Sequence, residues 1–236
     1  MTVLKAYRSI PEGTHPGNDF AAYGSTKLRH PQQAAIAIPQ TLSEITGPTF
    51  GFDRFGSVAT DLTMQAAAPA QGERIVVEGR VLDEDERPIA GTLVELWQAN
   101  AAGRYLHEAD QHDAPLDPNF TGAGRAVTDA DGRYRFVTIK PGAYPWRNHR
   151  NAWRPAHLHF SIFGPSFLTR LITQMYFPGD PLLPHDPIFN SVADPAARDL
   201  MVSRFDFSLT EPEWALGYGF DMVVRGRNAT PMEAGS

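Results

Sequence analysis

From Glu73 onward the chain breaks into short runs of β-branched and aromatic residues. They are RIVVEGRVLD (74–83), GTLVELWQA (91–99), GRYRFVTI (132–139), AHLHFSIFG (156–164), RLITQMYF (170–177) and GYGFDMVVRG (217–226). Turn composition separates several of them: DEDERP, TDADG, KPG and FPGDP. Runs this short, so punctuated, read as strands, and strands of this kind bury their apolar faces by stacking two sheets. The expected fold is mainly β: an antiparallel β-sandwich over residues 71–236 with few short helices. One segment of this region reads as helix, DPAARDLMVSRF (194–205), with Asp194 as N-cap and Pro195 in the first helical position.

Residues 1–70 differ. They are rich in Pro, Gly and small side chains with weak periodicity, and a short helix is expected only around PQQAAIAI (31–38). The expectation is an extended N-terminal arm that wraps the body or a partner. With 236 residues, 42% of them hydrophobic, the chain can bury a sizeable core. A formal charge of −6 argues against nucleic acid or an anionic membrane surface as partner. The opening MTVLKAYRSIPEG has no apolar run, so the expected location is the cytoplasm. The absence of cysteine excludes thiolate metal sites, thiol nucleophiles and disulfides. A metal here must be held by imidazole, carboxylate or phenolate.

The stretch WRPAHLHF (153–160) carries the chemistry. Alternate side chains of a strand share a face, so His157, His159 and Ser161 point one way and Leu158, Phe160 and Ile162 the other. Two histidines on a strand face can be plain surface. Trp153 and Arg154 just ahead suggest a lined pocket instead. Tyr105 and Tyr144 fall in loops beside strand ends, where a tyrosine is commonly a packing residue. As ligands, two phenolates with two imidazoles would suit ferric iron better than zinc, because hard anionic oxygen offsets a trivalent charge. The other histidines (His15, His30, His107, His112, His149 and His185) fall in loops or turns and read as solvated surface, although His107 and His149 lie near the ligands in sequence.

The segments VEGRVLDEDERPIAGTLVELWQANAAGRY (77–105), IKPGAYPWR (139–147) and WRPAHLHF resemble the intradiol aromatic-ring dioxygenases, and among them the iron-bearing β chains. The likeness extends to IPQTLSEITGPTFG (38–51) and LITQMYFPGDPL (171–182). It implies a non-haem Fe(III) ion on Tyr105, Tyr144, His157 and His159. It makes Tyr144 an internal base for a chelating aromatic 1,2-diol and sets Arg154 against the substrate ring. Gln174 becomes a residue of the oxygen-reactive side, and Tyr23, Trp97, Trp146 and Ile188 line the substrate cleft. The implied reaction adds O2 and opens the ring between the two hydroxylated carbons. With protocatechuate the product would be 3-carboxy-cis,cis-muconate; catechol and hydroxyquinol are the alternative substrates. A homologous α subunit, in a larger assembly of αβ pairs, is the implied partner.

Two rival readings stand beside this one. EGRVLDEDERPIAGTLVEL alone also resembles transthyretin-like binding modules, which would not need two tyrosines and two histidines in register. Cupin-type metal enzymes also use His-x-His, but add a Glu and a third His on later strands, and none follows His159 on a strand here.

Overall fold

The computed structural model describes residues 11–31, 33, 58–147, 150, 153–163 and 171–233. Most of the expected helix at 31–38 lies outside them, as do His149 and half of the arm. Two stacked sheets form the body. One is built on β1 (Arg74–Leu82), flanked by β4 (Arg133–Ile139), β10 (Leu216–Gly219) and β11 (Met222–Val223), with β9 (Arg204–Phe205) beyond β10. The other runs β3 (Ala123–Val127), β2 (Leu93–Trp97), β7 (His157–Phe163) and β8 (Leu171–Tyr176). A small ribbon pairs β5 (Tyr144–Pro145) with β6 (Trp153–Arg154).

The core lies between the sheets. Ile75, Val77 and Phe136 of one face Leu96, Leu158, Phe160 and Ile162 of the other, all fully buried. Phe160 sits at its centre, with ring centroids 5.7 Å from Tyr134, 6.3 Å from Phe136 and 5.6 Å from Phe220. The sandwich is thus the expected one, with some differences in detail. The run 217–226 is two strands rather than one, and both pair with β1 in parallel. The break falls where β1 carries Gly79: a Cβ there would land on the Phe220 carbonyl, so only glycine lets the chain cross so closely. The strand β3 had no β-branched run to announce it; the ladder to β2 from Leu93↔Val127 to Trp97↔Ala123 imposes it.

The expected helix at 194–205 is short. It spans Pro195–Asp199, and its N-cap is as expected, Asp194 accepting from Ala196 N. It stops because the following residues have tertiary work. Met201 is fully buried, its carbonyl accepts from Tyr176 N at 2.8 Å, and Ser203 N donates to the Tyr176 carbonyl at 2.9 Å. Packing overrides helix propensity here. Part of residues 1–70 joins the body: Leu62 is fully buried in the main core and Leu62 N donates to the Val137 carbonyl. Among the described residues, no helix is long and apolar enough to cross a membrane.

Candidate metal centre

His157 and His159 lie at the start of β7, and both faces of that strand are buried. His157 is 2% and His159 8% exposed, so the polar face is an interior wall rather than surface. The ladder sets their neighbours: His157 stands opposite Tyr176 and His159 opposite Gln174 on β8, while Trp97 on β2 faces His159 from the other side. The Trp97 and His159 rings stack, 4.8 Å apart and 9° from parallel.

The partners of the two imidazoles fix which nitrogen looks into the site. His157 Nδ1 lies 2.8 Å from the Pro155 carbonyl, which can only accept, so Nδ1 carries the hydrogen and Nε2 the lone pair. His159 Nδ1 lies 3.0 Å from a Glu233 carboxylate oxygen, with the same consequence. Both rings therefore present a basic Nε2. That of His159 accepts from the Tyr105 hydroxyl at 3.1 Å, and that of His157 from Arg154 Nη1 at 3.1 Å. Burial, then the Arg154 charge and the neighbouring His159, push the His157 pKa well below its usual range, and the hydrogen bond to Pro155 does not offset them. A neutral imidazole with an available lone pair is what metal ligation requires.

The tyrosines arrive on loops. Asn100 is the hub of the first: its side-chain oxygen accepts from Ala102 N and Arg104 N, and its carbonyl accepts from Gly103 N and Gly142 N. The last bond ties the Tyr105 loop to the Tyr144 loop. At their contact sits Gly103, with φ +77°, where a Cβ would fall on the Ala143 carbonyl oxygen. Asp110 takes Tyr105 N at 2.7 Å, and the short β5–β6 ribbon sets Tyr144 opposite Arg154. The result is convergence. The rings of Tyr105 and Tyr144 lie 5.3 Å apart, Tyr144 and His157 5.5 Å, His157 and His159 4.9 Å, and Tyr105 and His159 6.2 Å. Burial and then the neighbouring Tyr144 raise the Tyr105 pKa well above the usual phenol range, against the opposing pull of Arg154. As a phenolate, Tyr105 therefore needs an adjacent strong cation. Two imidazoles that turn Nε2 toward the site and two phenol oxygens, hard donors once ionised, fit a ferric ion. Among the described residues no group of three or more His, Cys, Asp or Glu is arranged to hold a metal.

Arg154 ties the centre together. It is 1% exposed and forms a two-pronged ion pair with Asp186, Nε to Oδ1 at 2.8 Å and Nη2 to Oδ2 at 2.9 Å. Nη2 also donates to Gln174 Oε1 at 2.6 Å and the Tyr176 hydroxyl at 3.0 Å, while Nη1 reaches the Tyr144 hydroxyl at 3.2 Å. Burial alone would raise the Asp186 pKa, but the Arg154 charge and the hydrogen bonds of Arg154 and Tyr176 bring it below the usual carboxylate value. Beyond Arg154, Tyr23, Trp146 and Ile188 gather in one small cluster with Phe20. The Tyr23 and Trp146 rings are 4.8 Å apart, and the Arg154 guanidinium lies 5.3 Å from the Trp146 ring. A cleft of about 910 Å³ opens beside this cluster, lined in part by Phe20, Arg147, Arg150 and Asp186. The ligand and cleft residues implied by the resemblance thus fall in one neighbourhood. Of the remaining histidines in the described residues, His107 and His185 are exposed, whereas His15, His30 and His112 are half-buried.

Three contributors escaped the sequence reading. Asp186 precedes Pro187 in HDP, which reads as an N-cap, and it does cap the helix Pro187–Asn190; its second task, holding Arg154, has no local signal. Tyr176 could have been found, since it alternates with Gln174 along β8. Glu233 lies far from every motif.

The comparisons with known proteins agree with this geometry. Residues 7–41 match the family described as "Protocatechuate 3,4-dioxygenase beta subunit N terminal", and residues 45–226 match the family "Dioxygenase". The protocatechuate 3,4-dioxygenase beta chain of Burkholderia cepacia is 58% identical over 222 residues, 93% of this chain and 94% of that one. The alpha chain from the same organism is 30% identical, covering 82% of this chain and 96% of its own length. The crystal structure of 3-chlorocatechol 1,2-dioxygenase from Rhodococcus opacus 1CP superposes with a TM-score of 0.54 at 26% identity, over 76% of this chain and 70% of that one. A match that runs through the body, the arm and the site neighbourhood alike places this chain in the intradiol ring-cleavage dioxygenase family, to which it belongs.

Proposed function

We propose that this chain cleaves protocatechuate with O2 between its two hydroxylated carbons to give 3-carboxy-cis,cis-muconate, at a ferric ion held by Tyr105, Tyr144, His157 and His159. The observation that carries the ligand set is the convergence of two lone-pair-bearing Nε2 atoms with two phenols from separate loops. A transthyretin-like carrier has no use for that convergence. When bound, ferric iron supplies the Lewis acidity that draws electron density from a chelated diol.

The chain's own groups do the rest. Tyr144 would be the internal base: its hydroxyl is held by Arg154 Nη1, so its phenolate would stand beside a cation while it takes a substrate proton. Arg154 is locked by Asp186 and Gln174 and presents its charge where carbanion character develops on the ring. Trp146, Tyr23 and Ile188 wall the ring and keep water out. Arg147 and Arg150 on the adjoining cleft suit a substrate that carries a carboxylate. The arm over residues 1–70 embraces a homologous α subunit in a larger assembly of αβ units. Leu28 (90% exposed), Val58 (57%) and Met64 (56%) support this, as apolar side chains that such a partner would cover.

Oxygen uptake by the iron-loaded chain, with and without an α-type partner, tests the reading. Protocatechuate should be consumed faster than catechol or hydroxyquinol and yield a carboxymuconate. Preference for unsubstituted catechol in both preparations would refute the substrate, and uptake without ring opening would refute the reaction.

A further inference from the structure

The two imidazoles on β7 differ in what holds the nitrogen that faces away from the site. For His157 it is a backbone carbonyl two residues back; for His159 it is a carboxylate that comes from 74 residues further along the chain. That carboxylate, Glu233, lies past residue 226, where the match to the shared dioxygenase family stops. The segment 230–233 that delivers it is pinned at three points. Thr230 and Val223 exchange hydrogen bonds, Thr230 N to the Val223 carbonyl and Val223 N to Thr230 Oγ1, each 2.9 Å. Glu233 N donates to the Ile172 carbonyl of β8 at 2.7 Å. Between them, Met232 N donates to His15 Nδ1 at 3.1 Å, so the N-terminal segment latches the strap from outside. A surface carboxylate that met His159 by chance would need none of these anchors.

We propose that Glu233 is a positioning residue for the metal centre: it takes the His159 Nδ1 hydrogen, fixes the ring's tautomer and orientation, and so makes Nε2 a stronger and better-aimed donor. The strap 230–233, held by β8 and His15, makes this possible. The inference rests on His159 being a ligand, as proposed above. His157, with its local carbonyl partner, depends on nothing so distant. His15 and the strap 230–233, far apart in sequence, thereby meet at one side of the site.

The test compares Glu233→Ala, Glu233→Gln and His159→Ala in the full iron-loaded chain, by iron retained against a competing chelator and by the visible spectrum. Glu233→Ala should weaken iron retention by about 10- to 100-fold, and Glu233→Gln by less, because its amide oxygen still accepts. Both should shift the visible band. The glutamine variant keeps the shape of the side chain and carries the test if the alanine variant folds poorly. His159→Ala should lose iron altogether. If it does while both Glu233 variants hold iron with an unshifted band, the role of Glu233 is overturned and the ligand assignment stands. If His159→Ala keeps its iron, the ligand assignment falls, and this inference with it.

Discussion

The histidines and the tyrosines of the candidate metal centre are positioned by different means. His157 and His159 ride a central strand, laddered to β2 and β8 and backed by Phe160 in the core. Tyr105 and Tyr144 ride loops held together by one asparagine hub and one glycine-to-carbonyl contact. A ladder shares its load among many hydrogen bonds, so its side chains stay aimed as long as the sandwich stands. A loop pair that meets at two small contacts can lose its aim while the sandwich survives. Stability and chemistry should therefore separate along this line.

Phe160→Ala strikes behind the histidines and should cost about 3–5 kcal/mol of unfolding free energy, read by denaturant titration of the metal-free chain. It lowers activity only as far as the folded fraction falls; a folded, stable but iron-free variant would show the strand to be as fragile as the loops. Asp186→Asn, which leaves the buried Arg154 short of its counter-charge, should cost about 3 kcal/mol. It should also lower kcat more than it raises KM, since Arg154 loses its aim at the ring. Gly103→Ala puts a methyl group on the Ala143 carbonyl and separates the two tyrosine loops. It should cut turnover by about 100-fold, roughly 2.7 kcal/mol in barrier, and weaken the visible band, while far-ultraviolet circular dichroism is unchanged. Wild-type turnover in Gly103→Ala would dissolve the distinction.

The smallest effect is one of pH. Because the folded pKa of His157 is depressed, the unfolded chain takes up its proton first as pH falls from about 6.5. The metal-free protein should hold its full stability above that pH and lose it as pH drops through the folded His157 value. The lowered Asp186 adds a second loss as pH falls from about 3.9 through its own folded value. Urea midpoints measured from pH 7.5 to 3 follow both, and Asp186→Asn should flatten only the lower limb. A midpoint that stays level between pH 7 and 5 would contradict a buried, neutral His157.

The same division governs what could be read before the fold was known. Period-two alternation placed His157 and His159 on one face, and turn punctuation marked β1, β2, β4 and β8, because strands carry their instructions locally. The parallel pairing of β10 and β11 with β1 and the early end of the helix at Asp199 were not legible. Both follow from tertiary partners: the Phe220 crossing at Gly79, and the Tyr176–Met201 bridge. Tyr105 and Tyr144 could be suspected from the donor chemistry of a cysteine-free chain, but only resemblance to a known family joined them to the histidines. The site roles of Asp186 and Glu233 carry no local mark, since each acts on a residue distant in the chain.

Visible absorption of the iron-loaded chain, beside Tyr105→Phe and Tyr144→Phe, tests the proposed centre most directly. Two phenolates on a ferric ion give a broad ligand-to-metal charge-transfer band, so the wild-type chain should be wine-red and each variant should lose part of that band. A chain that binds iron yet stays colourless, or a band that survives both substitutions, would contradict the assignment.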